Sequence, residues 1–207
     1  MTYLTVTYFC FDDTLLEYEG VPSPFNPSAL EAIGLTFALE VPHVALLVLP
    51  ASAAVRRAVY DLRVLGVNAQ GLDILQTERG GAFMKEVSER SGQKQAEAGV
   101  PTVDLDAHPT LLVSTLATTR GLDLPELSHV FLLGTPADGS VETYAHMAGR
   151  VGRAGREGKV VSVVESGPRL QRTAGKGQKA EATDEVVWLQ DAFEQLGIRP
   201  AKLEHFE

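Results

Sequence analysis

The chain has 207 residues, a formal net charge of −9, 44% hydrophobic and 22% charged residues, an ordinary globular balance that predicts one domain with a full core. A single cysteine, Cys10, excludes an internal disulfide and suits a reducing compartment. The longest apolar run, around Val44 to Val48, is about ten residues, too short to cross a bilayer, and the N-terminus has neither a secretory signal nor a transit-peptide character.

In chain order, Leu4 to Phe11 is rich in β-branched and aromatic residues and predicts a strand. A Gly- and Pro-containing loop follows to Phe25. Asn26-Pro27 predicts a helix start, Asn as N-cap and Pro at the first helical position, with the helix running to about Leu39. His43 to Leu49 is continuously apolar, as for a strand buried on both faces of a parallel sheet. Ser52 is expected to cap a helix over Ala53 to Leu65, whose apolar positions are Val55, Val59, Leu62 and Leu65, with Gly66 stopping it. Val67 to Leu72 predicts another strand. This β-α-β order points to an α/β sheet with right-handed crossovers.

Gly80 to Ser91 predicts a helix, and the polar stretch to Pro109, Gly- and Pro-containing, an inserted loop. Thr110 to Ser114 predicts a buried strand delivering Thr115 and the Arg120–Asp123 turn to the carboxyl edge, where open α/β sheets place ligands. His129 to Leu133 is the next strand. Ser140 is expected to cap a helix carrying Tyr144, His146, Arg150 and Arg153, the two arginines three apart and so on one face. Lys159 to Val164 predicts a strand and Ser166 to Thr183 a loop. Asp184 to Leu196 predicts an amphipathic helix with Val186, Val187, Leu189, Phe193 and Leu196 inward, Trp188 at its edge and Gly197 closing it.

The densest chemical signal is Gly149-Arg150-Val151-Gly152-Arg153-Ala154-Gly155-Arg156. Arginine stays charged at working pH and presents a planar fork of donors to phosphate oxygens. The intervening glycines let a backbone or ligand approach closely. Residues 147–179 hold eight Lys or Arg against two acids, a local balance of +6 that leaves −15 for the remainder. Because charge acts over about 8–10 Å in physiological salt, this face can bind phosphate on an acidic molecule.

Ser114-Thr115 with Arg120-Gly121-Leu122-Asp123-Leu124-Pro125 resembles the fifth motif of the DEAD-box ATP-dependent RNA helicases, and Tyr144, His146 and the Gly-Arg repeat to Gly158 resemble the sixth. Gln76-Thr77-Glu78-Arg79 resembles that family's Q-x-x-R element. Ala45 to Ala51 stands where the fourth motif begins, with Val48-Leu49-Pro50-Ala51 in place of its aromatic-Cys-Asn-Thr and Ser52 as a partial substitute. Leu116 stands where many relatives carry aspartate. No Walker-type lysine loop and no Asp-Glu-Ala-Asp-like metal site occurs, and no residues are assigned as metal ligands.

The resemblance implies an α/β, RecA-like three-layer sandwich, its mostly parallel sheet flanked by helices on both faces. Residues 1–207 would form the helicase C-terminal lobe, with inserted loops at about 92–109 and 166–183. The chain starts where that lobe starts, so a dissected domain, or a product lacking the first lobe, is the expectation. ATP and Mg²⁺ would be bound mainly by the first lobe. Arg150 and Arg153 would act as arginine fingers. Asp123 and Gly121 would join them in ATP binding, and His146 would link the lobes. Thr115, Arg79, Gly121 and Ser52 would lie along RNA. The implied partners are RNA, ATP and the N-terminal lobe, with no membrane, and the fragment alone is expected to be inactive. A monomer is expected because no heptad is evident. A scaffold that binds a ribonucleoprotein without ATP turnover is the alternative, and a DNA motor a third. An intracellular, soluble location is expected. Mitochondrion, nucleus or nucleolus, and ribosome assembly, follow only from the type of protein.

Overall fold

A computed structural model of the chain describes residues 4–11, 23–42, 44–72, 109–119, 124, 127–152, 157–165, 168–169 and 183–202. The main strands are β1 (Leu4–Phe11), β2 (Val44–Leu49), β3 (Ala69–Gly71), β4 (Thr110–Thr115), β5 (Leu127–Leu133) and β6 (Gly158–Glu165). The helices are α1 (Pro27–Glu40), α2 (Val55–Val64), the single turn α3 (Leu116–Thr119), α4 (Val141–Ala148) and α5 (Glu185–Leu196). Short strands β7 (Pro168–Arg169) and β8 (Thr183–Asp184) pair antiparallel, and β9 (Ala201–Lys202) adds to β1.

The order β3-β4-β2-β5-β6-β1-β9 makes one seven-stranded sheet, and every pair in it is parallel. Alternation along the strands divides the core in two. Ala45, Leu47 and Leu49 face one layer with Leu111, Val113, Phe131, Val161 and Val163, covered by Leu30, Ile33 and Phe37 of α1 and Ala58, Val59 and Leu62 of α2. Val44, Leu46 and Val48 face the other, covered by Tyr144, Met147 and Ala148 of α4 and Leu189 and Phe193 of α5. Both faces are thus buried, which is why β2 reads as an unbroken apolar run.

The cap predicted at Asn26 and the stop predicted at Gly197 hold, whereas Asp184, expected as the first residue of its helix, is instead the N-cap of α5. Asn26 Oδ1 accepts from Ser28 N–H at 3.0 Å, with Pro27 opening α1. Asp184 Oδ1 accepts from Val186 N–H at 2.9 Å. Gly197, at φ 65°, ends α5 with its own N–H on Glu194 O and Ile198 N–H on Phe193 O, the paired bonds of a Schellman turn.

Other expectations are corrected. Ser52 does not cap α2: it is exposed in a turn, and the N-cap position is Ala54, which makes no side-chain cap bond. The strand expected over Val67 to Leu72 is only Ala69–Gly71. On α5, Val187 and Leu196 are 53% and 37% exposed while Ala192 is buried. Val187 lies about 200° around the helix from Leu189, and Ile198, folded back by the Gly197 turn, packs on the core at that end. The stretch expected as a loop over 166–183 is closed at its base by β7 and β8, and the tail adds strand β9. The helix expected over 80–91 and the insertion at 92–109 lie outside the described residues, apart from Pro109.

Candidate functional site

Parallel pairing aligns the carboxyl ends of β2 and β4, with Leu49 opposite Thr115. Thr115 is 9% exposed. Its hydroxyl lies 3.3 Å from that of Thr118, which the turn of α3 brings back beside it. Ser114 Oγ donates to Thr115 O at 3.2 Å, and Thr119 Oγ1 donates to Leu116 O at 2.9 Å. Four hydroxyls therefore tie the strand end and the following turn together, a device that Thr and Ser offer because their side chains reach nearby groups of the chain. Ser52 stands exposed three residues past Leu49, in a turn closed by Ala53 N–H on Pro50 O at 2.9 Å. Thr115 and Ser52 thus share one edge. Arg79, Gly121, Asp123 and Arg153 lie outside the described residues.

The Gly-Arg segment is positioned by α4 and β6. Ser140 Oγ accepts from Thr143 N–H at 3.2 Å, and Asp138 accepts both from Ser140 N–H at 3.0 Å and from Thr143 Oγ1 at 2.8 Å. Tyr144 is 1% exposed, and its hydroxyl meets Ser162 Oγ at 2.9 Å. Burial pushes that phenol up to about 12, with the Ser162 bond opposing. Trp188 and Phe193 meet its ring edge-on at 6.1 and 6.0 Å, a favourable aromatic geometry. Trp188 Nε1 donates to Gly139 O at 3.2 Å.

The helix does not continue into the repeat as expected. It ends at Ala148, Gly149 N–H bonds to Ala145 O, and Gly152 takes φ 72°, a left-handed value that favours glycine. Arg150 is therefore half-buried in a turn rather than on a helical face shared with Arg153. The turn returns against the first residue of β6: a Cβ added at Gly158 would lie 2.6 Å from Gly152 N and 2.7 Å from Val151 Cβ. The close approach served by Gly158 is thus to backbone. His146 sits exposed in the last turn of α4. Arg150 lies toward the amino end of β6, whereas Thr115 and Ser52 lie at the carboxyl edge of the sheet.

A polar cluster not anticipated from the sequence joins α1 to the amino ends of β5 and β6. Glu40 pairs with Lys159 and accepts from His129 Nε2 at 2.7 Å. His129 Nδ1 lies 2.9 Å from Ser128 Oγ. Burial lowers the His129 pKa from 6.5, with Glu40 opposing through its hydrogen bond and charge, and Lys159 lowering it further. Among the described residues no group of three His, Cys, Asp or Glu could hold a metal ion.

A seven-stranded parallel sheet with helices on both faces and a glycine-arginine turn between helix and strand defines an α/β sandwich of the RecA-like class. Residues 68–155 match the helicase conserved C-terminal domain. A 56-residue stretch is 45% identical to the ATP-dependent RNA helicase SrmB of Escherichia coli (strain K12), covering 27% of this chain and 12% of SrmB. The fold resembles the C-terminal domain of the DEAD-box protein Dbp5, with a TM-score of 0.60 at 18% identity over 97% of this chain and 89% of that one. It also resembles a variant of S. cerevisiae Dbp5 solved with RNA and ADP BeF3, with a TM-score of 0.61 at 18% identity over 98% of this chain and 41% of that one. The chain thus spans well under half of that longer helicase.

Proposed function

We propose that this chain, over residues 1–207, is the second RecA-like lobe of a DEAD-box ATP-dependent RNA helicase, and that it serves RNA-stimulated ATP hydrolysis and duplex unwinding or ribonucleoprotein remodelling. The observation that carries the reading is the Gly-Arg turn: it is held between α4 and β6 by a glycine contact that admits no side chain, inside the segment that matches the helicase C-terminal domain. Such a turn holds Arg150 on a fixed backbone, as electrostatic stabilisation of a transition state requires.

In this mechanism a first lobe holds ATP and, with it, Mg²⁺, for which the described residues supply no ligand cluster. RNA crossing both lobes closes the cleft, an ordering of domains by ligand. Arg150 and Arg153 meet the charge that develops on the transferred phosphoryl oxygens. Asp123 and Gly121 line the nucleotide, with Asp123 on the ribose. Thr115, Ser52, Arg79 and Gly121 follow the RNA backbone, and His146 connects the Gly-Arg turn to the other lobe. Selection of RNA over DNA then rests on ribose and backbone shape. This chain alone does not turn over ATP, and it acts as a monomer.

In the complete native protein, Arg150→Ala is expected to lower RNA-stimulated turnover by about 10³–10⁵ while ATP binding largely survives. Full activity in that variant would remove the assignment. The second reading is a scaffold that binds a ribonucleoprotein without turnover. It draws on the apolar end of β2, Val48-Leu49-Pro50, where the resembled motif carries polar groups, and it predicts RNA binding that is indifferent to nucleotide.

A further inference from the structure

Helix α2 leaves the carboxyl edge directly after Ser52 and carries three arginines against one aspartate in ten residues, within a chain of net charge −9. Its inward side is Ala58, Val59 and Leu62. Arg56, Tyr60 and Arg63 recur at i, i+4 and i+7 along a flank about 120° around the helix, where all three are exposed and Tyr60 is 62% exposed. Arg56 and Arg63 are separated by about 10 Å along the axis at the helical rise.

This face is built rather than merely solvated. Ser23 Oγ donates to Asp61 Oδ2 at 2.6 Å, and Asp61 Oδ1 accepts from Arg57 Nε at 2.8 Å. Arg57 then lies over the Tyr60 ring at 5.7 Å. Arg63 Nε donates to Ala69 O at 2.8 Å, which orients its remaining donors. An aromatic ring held beneath one arginine and flanked by two more is a stacking platform with phosphate partners on either side. An acidic peptide would use the charges and leave the ring idle.

We propose that the exposed face of α2, Arg56-Tyr60-Arg63, binds single-stranded RNA as a continuation of the carboxyl edge at Ser52 and Thr115, with one base stacked on Tyr60 and its flanking phosphates on the two arginines. The inference rests on the reading of that edge as an RNA site. The track runs from the edge along the outside of the helix layer, so it engages only a strand longer than the edge itself requires.

Fluorescence anisotropy of the 207-residue chain tests it, with labelled oligouridylates of about 5 and about 12 nucleotides, lengths within the range of single-strand sites. Tyr60→Ala is expected to weaken the longer strand about tenfold and leave the shorter one unchanged. Arg56→Gln with Arg63→Gln is expected to make the salt dependence for the longer strand shallower by about 1.4, the counterion slope for two phosphates on a single strand. Melting temperatures of each variant control for folding, Arg63→Gln giving up the bond of Arg63 to Ala69 O. If the wild type binds both strands and neither variant alters the longer one, the track is refuted and the edge stands. If the wild type binds neither, edge and track fall together. If polyglutamate displaces the strand and Tyr60→Ala has no effect, the surface takes an acidic protein instead and the proposal is overturned.

Discussion

Tyr144 shows how a residue of the resembled sixth motif can be structural. Its hydroxyl is buried against Ser162 on β6 and its ring lies among Trp188 and Phe193, so it fastens α4, and with it His146 and the Gly-Arg turn, to the sheet. Its phenol is raised from 10.0 to about 12. The folded state therefore keeps the proton that the unfolded chain releases near 10, and the stability this contributes is present below 10 and lost as pH rises toward about 12. Tyr144→Phe is expected to cost about 1 kcal/mol at neutral pH, the scale of one buried hydrogen bond, and to remove a phenol that ionises well above 10 in an ultraviolet titration. Ionisation of all tyrosines near 10 in the folded protein would contradict this.

Val41 is the opposite case, a β-branched residue that ends α1 at φ 45° while 61% exposed. That left-handed conformation costs an L residue about 1–2 kcal/mol. Val41→Gly is therefore expected to stabilise the chain by about 1 kcal/mol, read as a higher denaturation midpoint. A lower one would mean that the Val41 side chain offsets its own strain.

At the scale of elements, the glycines of the repeat act through backbone. Gly158→Ala puts a methyl where Gly152 N and Val151 Cβ already lie, and is expected to destabilise by about 1–3 kcal/mol; an unchanged melting temperature would show that the turn can move aside. The cluster of Glu40, His129 and Lys159 binds the end of α1 to β5 and β6. Because burial lowers the His129 pKa below 6.5, the unfolded chain takes a proton near 6.5 that the folded chain resists. Stability is present above that pH and falls as pH drops through the lowered value. Melts at two pH values on either side of 6.5 should show this fall, and His129→Gln should flatten it. An equally steep fall in the variant would assign it to other groups.

These elements also mark what was legible in the sequence. The caps at Asn26, Ser140 and Gly197 are readable because each is a local contact between neighbours. The pairing of Glu40 with His129 and Lys159 spans 89 and 119 residues, and no local spacing encodes it. The helix expected to carry Arg150 and Arg153 stops at Ala148, with Gly149 as its C-cap and Gly152 left-handed in the turn beyond. The two-residue strand β9 carries too little pattern to be seen. Of the candidate site, the place of Thr115 at the carboxyl edge was legible, since a parallel sheet places strand ends together, whereas Ser52, expected as a helix cap, stands in the turn before that helix. The different placement of Arg150, toward the amino end of β6, depends on where the turn closes.

For the molecule as a whole, the two apolar layers and the all-parallel sheet account for an ordinary composition that is 44% hydrophobic. No helix among the described residues is long and apolar enough to cross a membrane. With a net charge of −9, the proposed contact with RNA would depend on local basic faces and weaken steeply with salt. The most direct test is ATP turnover by the complete native protein with and without RNA. The account predicts turnover that is low alone and rises strongly on adding RNA. A folded protein that binds RNA yet shows no turnover under either condition would contradict it and leave the scaffold reading.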